Sequence, residues 1–165
     1  MNQFQATLRL QPDNADAHNN LGNLLAKTGQ TEAAITELQA ALRLQPENAD
    51  THYNLGCALL KTGRLADAAS QFQAALRLKP NYAPGYYNLG VALGKKGEST
   101  EAISQFREAI RLKPDYAVAH NSLGIALAGA GQLNEAINEF QEAVRLKPDY
   151  TNAQNNLARA LQLKK

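Results

Sequence analysis

Small and large apolar residues recur along this chain at fixed intervals. Ala34 is followed four positions later by Leu38 and then by Ala41; the set returns as Ala68, Phe72 and Ala75, as Ala102, Phe106 and Ala109, and as Ala136, Phe140 and Ala143. Spacings of four and three place these residues on one face of a helix. Each set is preceded by another apolar segment, built on Leu21-Gly22, Leu55-Gly56, Leu89-Gly90 and Leu123-Gly124, with Leu25, Leu59, Leu93 and Leu127 behind them. Between the two segments stand Gly29, Gly63, Gly97 and Gly131, where the first helix must stop and the left-handed C-cap conformation suits glycine. After the second segment come Pro46, Pro80, Pro114 and Pro148, with Pro12 in front, and proline disfavours helix in the residue before it. Every position repeats after 34 residues, so the chain is expected to be a series of helix–turn–helix hairpins, each a helix A followed by a helix B. Gly and Ala at the contact positions let the two helices approach closely. Asp67, Glu101 and Glu135 near the start of helix B, and Arg77, Arg111 and Arg145 near its end, complement the helix dipole.

These boundaries give four complete repeats, 15–48, 49–82, 83–116 and 117–150. Residues 1–14 read as the end of an earlier helix B, since Gln3-Phe4-Gln5-Ala6 echoes Gln71-Phe72-Gln73-Ala74. Residues 151–165 read as a fifth helix A, with Asn156-Leu157-Ala158 in place of Asn-Leu-Gly. With no linker or charge block between repeats, 1–165 is expected to be a single array and an excerpt of a longer one. The period, the Leu-Gly pair, the helix-B alanines and the terminal proline together resemble the tetratricopeptide-repeat family. That resemblance implies an all-α, right-handed superhelical solenoid. Two departures are systematic: the aromatic expected early in helix A is His18, His52, Tyr86 and His120, and the later tyrosine is Leu25, Leu59, Leu93 and Leu127.

Composition agrees with a folded helical chain. Of 165 residues, 44% are hydrophobic and 19% charged, with alanine and leucine dominant and no Trp. A net charge of +2 gives no general attraction to nucleic acid or to an anionic membrane. The single Cys57 excludes an intrachain disulfide, no apolar run is long enough to span a bilayer, and no signal peptide is visible. Localisation is left open, with the cytoplasm favoured.

The chemistry-bearing residues do not assemble into a catalytic or metal constellation, so no enzyme activity, metal or cofactor is expected. His18, His52 and His120 sit on different A helices, about 8–10 Å apart at neighbouring axes, and none has a second ligand at helical spacing. They read as partly buried replacements for the family's aromatic. Cys57 has only Lys61 nearby in sequence to activate it, and reads as a small buried or groove-lining residue. Glu37, Glu108 and Glu139 on helix B read as a solvated outer face. The rows Arg9, Arg43, Arg77, Arg111, Arg145 and Lys79, Lys113, Lys147 lie at helix-B ends, where the dipole accounts for them without nucleic acid.

In the family, helix A lines the concave face, and the groove positions can be carried over one at a time. The position before the Leu-Gly pair holds Asn20, Asn54, Asn88, Ser122 and Asn156, which resembles the asparagine ladder in the repeats of O-GlcNAc transferase. An amide offers both a donor and an acceptor, so it can hold the backbone of an extended peptide without reading its side chains. One position earlier lie Asn19, Tyr53, Tyr87, Asn121 and Asn155. Three positions after the ladder lie Asn23, Cys57, Val91, Ile125 and Arg159. Lys27, Lys61 and Lys95 either add a positive rim or complement the helix dipole. The implied partner is an unidentified protein or peptide in this groove. The alternatives are that the asparagines are merely common in the family and that the array is a spacer or oligomerisation segment of a larger, even enzymatic, protein. Phe4, Leu8, Leu157 and Leu161 are expected to lack covering neighbours, which would permit head-to-tail self-association.

Overall fold

The computed structural model describes residues 3–164. Among these the fold is all-α, a run of helices joined by short turns. The chain divides into two compact units, one ending at Pro80 and one beginning at Asn81. The first holds α1 (Gln3–Leu10), α2 (Ala15–Lys27), α3 (Thr31–Leu44), α4 (Ala49–Lys61) and α5 (Leu65–Leu78). The second holds α6 (Ala83–Lys96), α7 (Ser99–Leu112), α8 (Ala117–Gly129), α9 (Leu133–Leu146) and α10 (Thr151–Leu163). Within each unit successive helices pack in sequence order: α1 to α5 in the first, α6 to α10 in the second. Alternate helices also touch, α2 with α4, α6 with α8 and α8 with α10. The A helices therefore form a continuous row inside each unit.

The recurring glycines and prolines set the hairpins. Gly29, Gly63, Gly97 and Gly131 have φ of 83°, 77°, 89° and 78°, the left-handed conformation that a side chain resists. In each case the next residue donates its N–H to a carbonyl five positions back, Gln30 to Leu25 at 2.9 Å and Arg64 to Leu59 at 3.0 Å, for example. This bond closes the helix end and turns the chain into helix B. At the far end, Gln45, Lys79, Lys113 and Lys147 leave the helix with ψ between 79° and 88°, as the following proline requires.

The core lies between helix A and helix B of each hairpin. Ala34, Leu38, Ala41, Ala68, Phe72, Ala75, Ala102, Phe106, Ala109, Ala136, Phe140 and Ala143 are all buried, as the spacing predicts. The Leu-Gly pair faces them. A Cβ placed on Gly90 would lie 2.7 Å from Cε1 of Phe106, and one on Gly124 would lie 2.6 Å from Cε1 of Phe140. In the first hairpin the ring is replaced by Leu38, whose Cγ stands 2.7 Å from the equivalent point on Gly22. The missing side chain is thus the space that the helix-B residue fills. Phe4, Leu8 and Leu157 are half-buried rather than uncovered, because α1 packs on α2 and α10 on α9; Leu161 is exposed.

Helix starts differ between the units. Asn14 and Asn48 cap α2 and α4 by accepting from the N–H of Ala17 at 2.9 Å and Thr51 at 3.0 Å. Tyr82, Tyr116 and Tyr150 occupy the same position before α6, α8 and α10 and make no side-chain cap. Two of them reach instead to the preceding A helix: the Tyr116 ring lies 5.3 Å from that of Tyr87, and the Tyr150 hydroxyl lies 3.5 Å from Nδ2 of Asn121.

Candidate peptide-binding row

Four asparagines of the A helices are paired across neighbouring repeats. In the first unit, Nδ2 of Asn54 donates to Oδ1 of Asn19 on the preceding A helix at 3.2 Å. In the second, Nδ2 of Asn156 donates to Oδ1 of Asn121 at 2.9 Å. Both pairs span 35 residues, one period plus one, so each joins a ladder position to the position before the ladder in the previous repeat. Asn54 and Asn156 are half-buried, Asn20 and Asn155 exposed, and Asn19, Asn23, Asn88 and Ser122 half-buried. Asn121 is buried, holding Asn156 on one side and facing Tyr150 on the other. It fixes its neighbour and offers little surface of its own. The 35-residue spacing of like amides was the signal in the sequence for this pairing.

Where tyrosine replaces asparagine one position before the ladder, the ring packs inward. Tyr53 lies 5.8 Å from Phe72, and Tyr87 lies 5.9 Å from Phe106. Both are half-buried, so these positions join the row to the core rather than forming a polar edge. Lys61 donates to the Ala26 carbonyl at 3.2 Å, complementing the C-terminal end of the neighbouring helix α2. Burial raises the Cys57 thiol pKa, and this outweighs the opposite effects of the Tyr53 hydrogen bond and the Lys61 charge. Its thiolate fraction at neutral pH is correspondingly small.

The histidines do structural work that the sequence concealed. His18 contacts Glu37 Oε2 through Nδ1 at 2.6 Å and the Pro12 carbonyl through Nε2 at 2.9 Å. His52 joins Gln71 to the Pro46 carbonyl, and His120 joins Glu139 to the Pro114 carbonyl, in the same manner. Each ring ties its own helix B to the turn before its own helix A. Gln154 takes the histidine's position in α10 and donates to the Pro148 carbonyl at 2.7 Å. Glu37 and Glu139 are accordingly half-buried partners of histidine and not members of a solvated face. Among the described residues no three His, Cys, Asp or Glu side chains converge as a metal site would need.

His120 carries a testable pH dependence. Burial disfavours its charged form, but the bonds to Glu139 and the Pro114 carbonyl, with the charges of Glu139 and Glu142, outweigh burial and raise its pKa. Both ring nitrogens face acceptors, which only the doubly protonated ring can satisfy. Its stabilising contribution is therefore complete below the unfolded value of about 6.5 and is lost as pH rises through the higher folded pKa. Urea unfolding followed across that window should show a falling midpoint in the wild type. The His120→Gln variant keeps an amide able to reach Pro114 and should lose that part of the fall; parallel profiles would contradict the assignment.

Five of the cations at helix-B ends, Lys79, Arg111, Lys113, Arg145 and Lys147, are engaged within the chain. Arg111 makes a two-pronged contact with Glu108, at 2.9 and 2.7 Å, and Arg145 does the same with Glu142. Glu108 is half-buried in that contact. Lys79 pairs with Asp50 at 2.6 Å, while Lys113 and Lys147 lie 5.0 and 5.6 Å from the centres of the Tyr116 and Tyr150 rings. No helix among the described residues is long and apolar enough to cross a membrane.

Comparison with known proteins is consistent with the architecture. A family model described as tetratricopeptide repeat matches residues 2–49, 21–83, 53–117, 87–151 and 121–164. No curated protein sequence matches the chain. Among solved structures, MamA is 29% identical, with a TM-score of 0.85 over 88% of this chain and 85% of MamA. YrrB, described as a TPR protein with an unusual peptide-binding site, is 24% identical, with a TM-score of 0.84 over 99% of this chain and 84% of YrrB. PilF of Pseudomonas aeruginosa is also 24% identical, with a TM-score of 0.82 over 91% of this chain and 68% of PilF.

Proposed function

Because the chain belongs to the tetratricopeptide-repeat family, we propose that it is a protein-interaction module that holds an extended peptide segment of another protein along its A helices, through the ladder asparagines. The observation that carries this reading is the pairing of Asn54 with Asn19 and of Asn156 with Asn121. Each pair uses one N–H of the ladder amide and fixes its orientation. The side chain then has less freedom to lose when its remaining donor and acceptor meet a peptide backbone. Within the second unit Asn88 and Ser122 precede Asn156 in the row, Ser122 with the shorter reach. No bond-making step is asked of any residue. The described peptide-binding site of YrrB is a property of that protein and is compatible with the same use here.

The test is a titration of unstructured peptides against the wild type and the Asn88→Ala, Asn156→Ala double variant. Each lost amide contact costs about 0.5–1.5 kcal/mol, so the double variant should bind roughly one to two orders of magnitude more weakly. Ser122→Asn should strengthen binding modestly. Equal affinities for all three proteins would leave the asparagines without a binding role and favour a spacer.

A further inference from the structure

The second unit carries two apolar clefts that are copies of each other. The first, about 450 Å³, lies between α6 and α8 and is lined by Val91, Phe106, Ile125, Ser122 and Lys95 among others. The second, about 320 Å³, lies between α8 and α10 and is lined by Ile125, Phe140, Leu163, Asn156 and Arg159 among others. The named residues of the first cleft recur 34 positions on in the second: Val91 becomes Ile125, Lys95 becomes Gly129, Phe106 becomes Phe140, Ser122 becomes Asn156, and Ile125 becomes Arg159. The buried phenylalanine that fills the glycine gap also closes each cleft from below. Ile125 is shared by both and is 52% exposed, although it is a large apolar residue in the middle of a helix. A ladder residue, Ser122 or Asn156, borders each cleft.

The charges around the clefts are of one sign. Lys95 lines the first and Arg159 the second, and no carboxylate lines either. Both cations are exposed, and neither is among the ion-paired or otherwise engaged side chains of the described residues. Elsewhere in the unit the cations Arg107, Arg111 and Arg145 are matched to carboxylates.

We infer that the second unit recognises an acidic-flanked peptide in polyproline II conformation, with apolar side chains three residues apart seated in the two clefts. The inference rests on the peptide-binding reading above and adds the partner's side-chain chemistry to it. Adjacent packed helices stand about 8–10 Å apart. A polyproline II segment rises about 3.1 Å per residue with three residues per turn, so its positions i and i+3 face the same side about 9.3 Å apart. An extended β-strand does not match as well, because side chains on one face recur every second residue, at about 6.6–6.8 Å. Acidic residues on either side of the apolar pair would meet Lys95 and Arg159.

A fluorescein-labelled peptide, Asp-Asp-Leu-Pro-Pro-Val-Glu-Glu, titrated against the full chain provides the test. Its binding should exceed at least about tenfold that of a peptide with Leu and Val only two residues apart, and that of one with alanine at both positions. Ile125→Asp, at an exposed site where helix content should not change, should weaken the parent peptide by a similar factor. The Lys95→Glu, Arg159→Glu variant should reverse the preference towards a peptide flanked by lysines, most clearly at low salt. If the alanine peptide binds as well as the parent and remains sensitive to Asn156→Ala, the row holds backbone alone: the side-chain inference is overturned while the proposed function stands. No binding of the parent peptide, or equal binding by the two-residue spacing, also overturns it.

Discussion

Replacing Phe72 with alanine is expected to destabilise the first unit by about 3–5 kcal/mol, the range for emptying a buried aromatic site. Phe72 is wholly buried between α4 and α5, fills the space left by Gly56, and packs 5.8 Å from the tilted ring of Tyr53. Gly56 has no side chain to extend into the cavity, so the space can be closed only by a shift of Tyr53 or of the backbone. A whole domain is stable by only about 5–15 kcal/mol, so the loss would be a large part of the total. In a repeat array stability is a sum over hairpins and their interfaces, and the damage should begin locally. Hydrogen exchange should quicken first in α4 and α5, with α8 and α9 protected until global unfolding. A change below about 1 kcal/mol in urea unfolding would contradict the assignment of Phe72 to the core.

The second large effect comes from the opposite side of the same kind of contact. Gly90→Leu places a branched side chain where even a Cβ would stand 2.7 Å from the Phe106 ring. Leucine gains roughly 1 kcal/mol over glycine in helix propensity, which works against the damage. Overpacking a close-packed interior costs about 1–3 kcal/mol and sometimes more, and with four heavy atoms to accommodate the net should remain destabilising. The informative measurement is a double-variant cycle with Phe106→Ala. Space removed from α7 can be taken up by the leucine on α6, so the double variant should be more stable than the sum of the two single effects by at least about 1 kcal/mol. Additive effects would show that Gly90 and Phe106 do not share one volume.

The sequence by itself determined the helices, their pairing and the core. A 34-residue recurrence of Gly, Pro, Ala and large apolar residues is enough, because these residue types act locally: glycine takes the left-handed cap, proline ends helix B, and apolar spacing of three and four selects the buried face. The Leu-Gly contact was legible for the same reason, since the glycine and the large apolar residue of helix B stand at fixed places in the repeat. Polar side chains were read less well. His18 and His120 are read from the sequence as aromatic stand-ins, and Glu37 and Glu139 as a solvated face, yet they meet as hydrogen-bonded pairs. Asn121 is read as part of an open row but is buried beneath Asn156 and Tyr150. A polar group can satisfy its hydrogen bonds with water or with any partner that packing brings within about 3 Å, and the residue type does not say which. That choice is made by the crossing of one helix over the next. The paired clefts around Ile125 were decided at the same level, because the space between two A helices belongs to neither repeat alone.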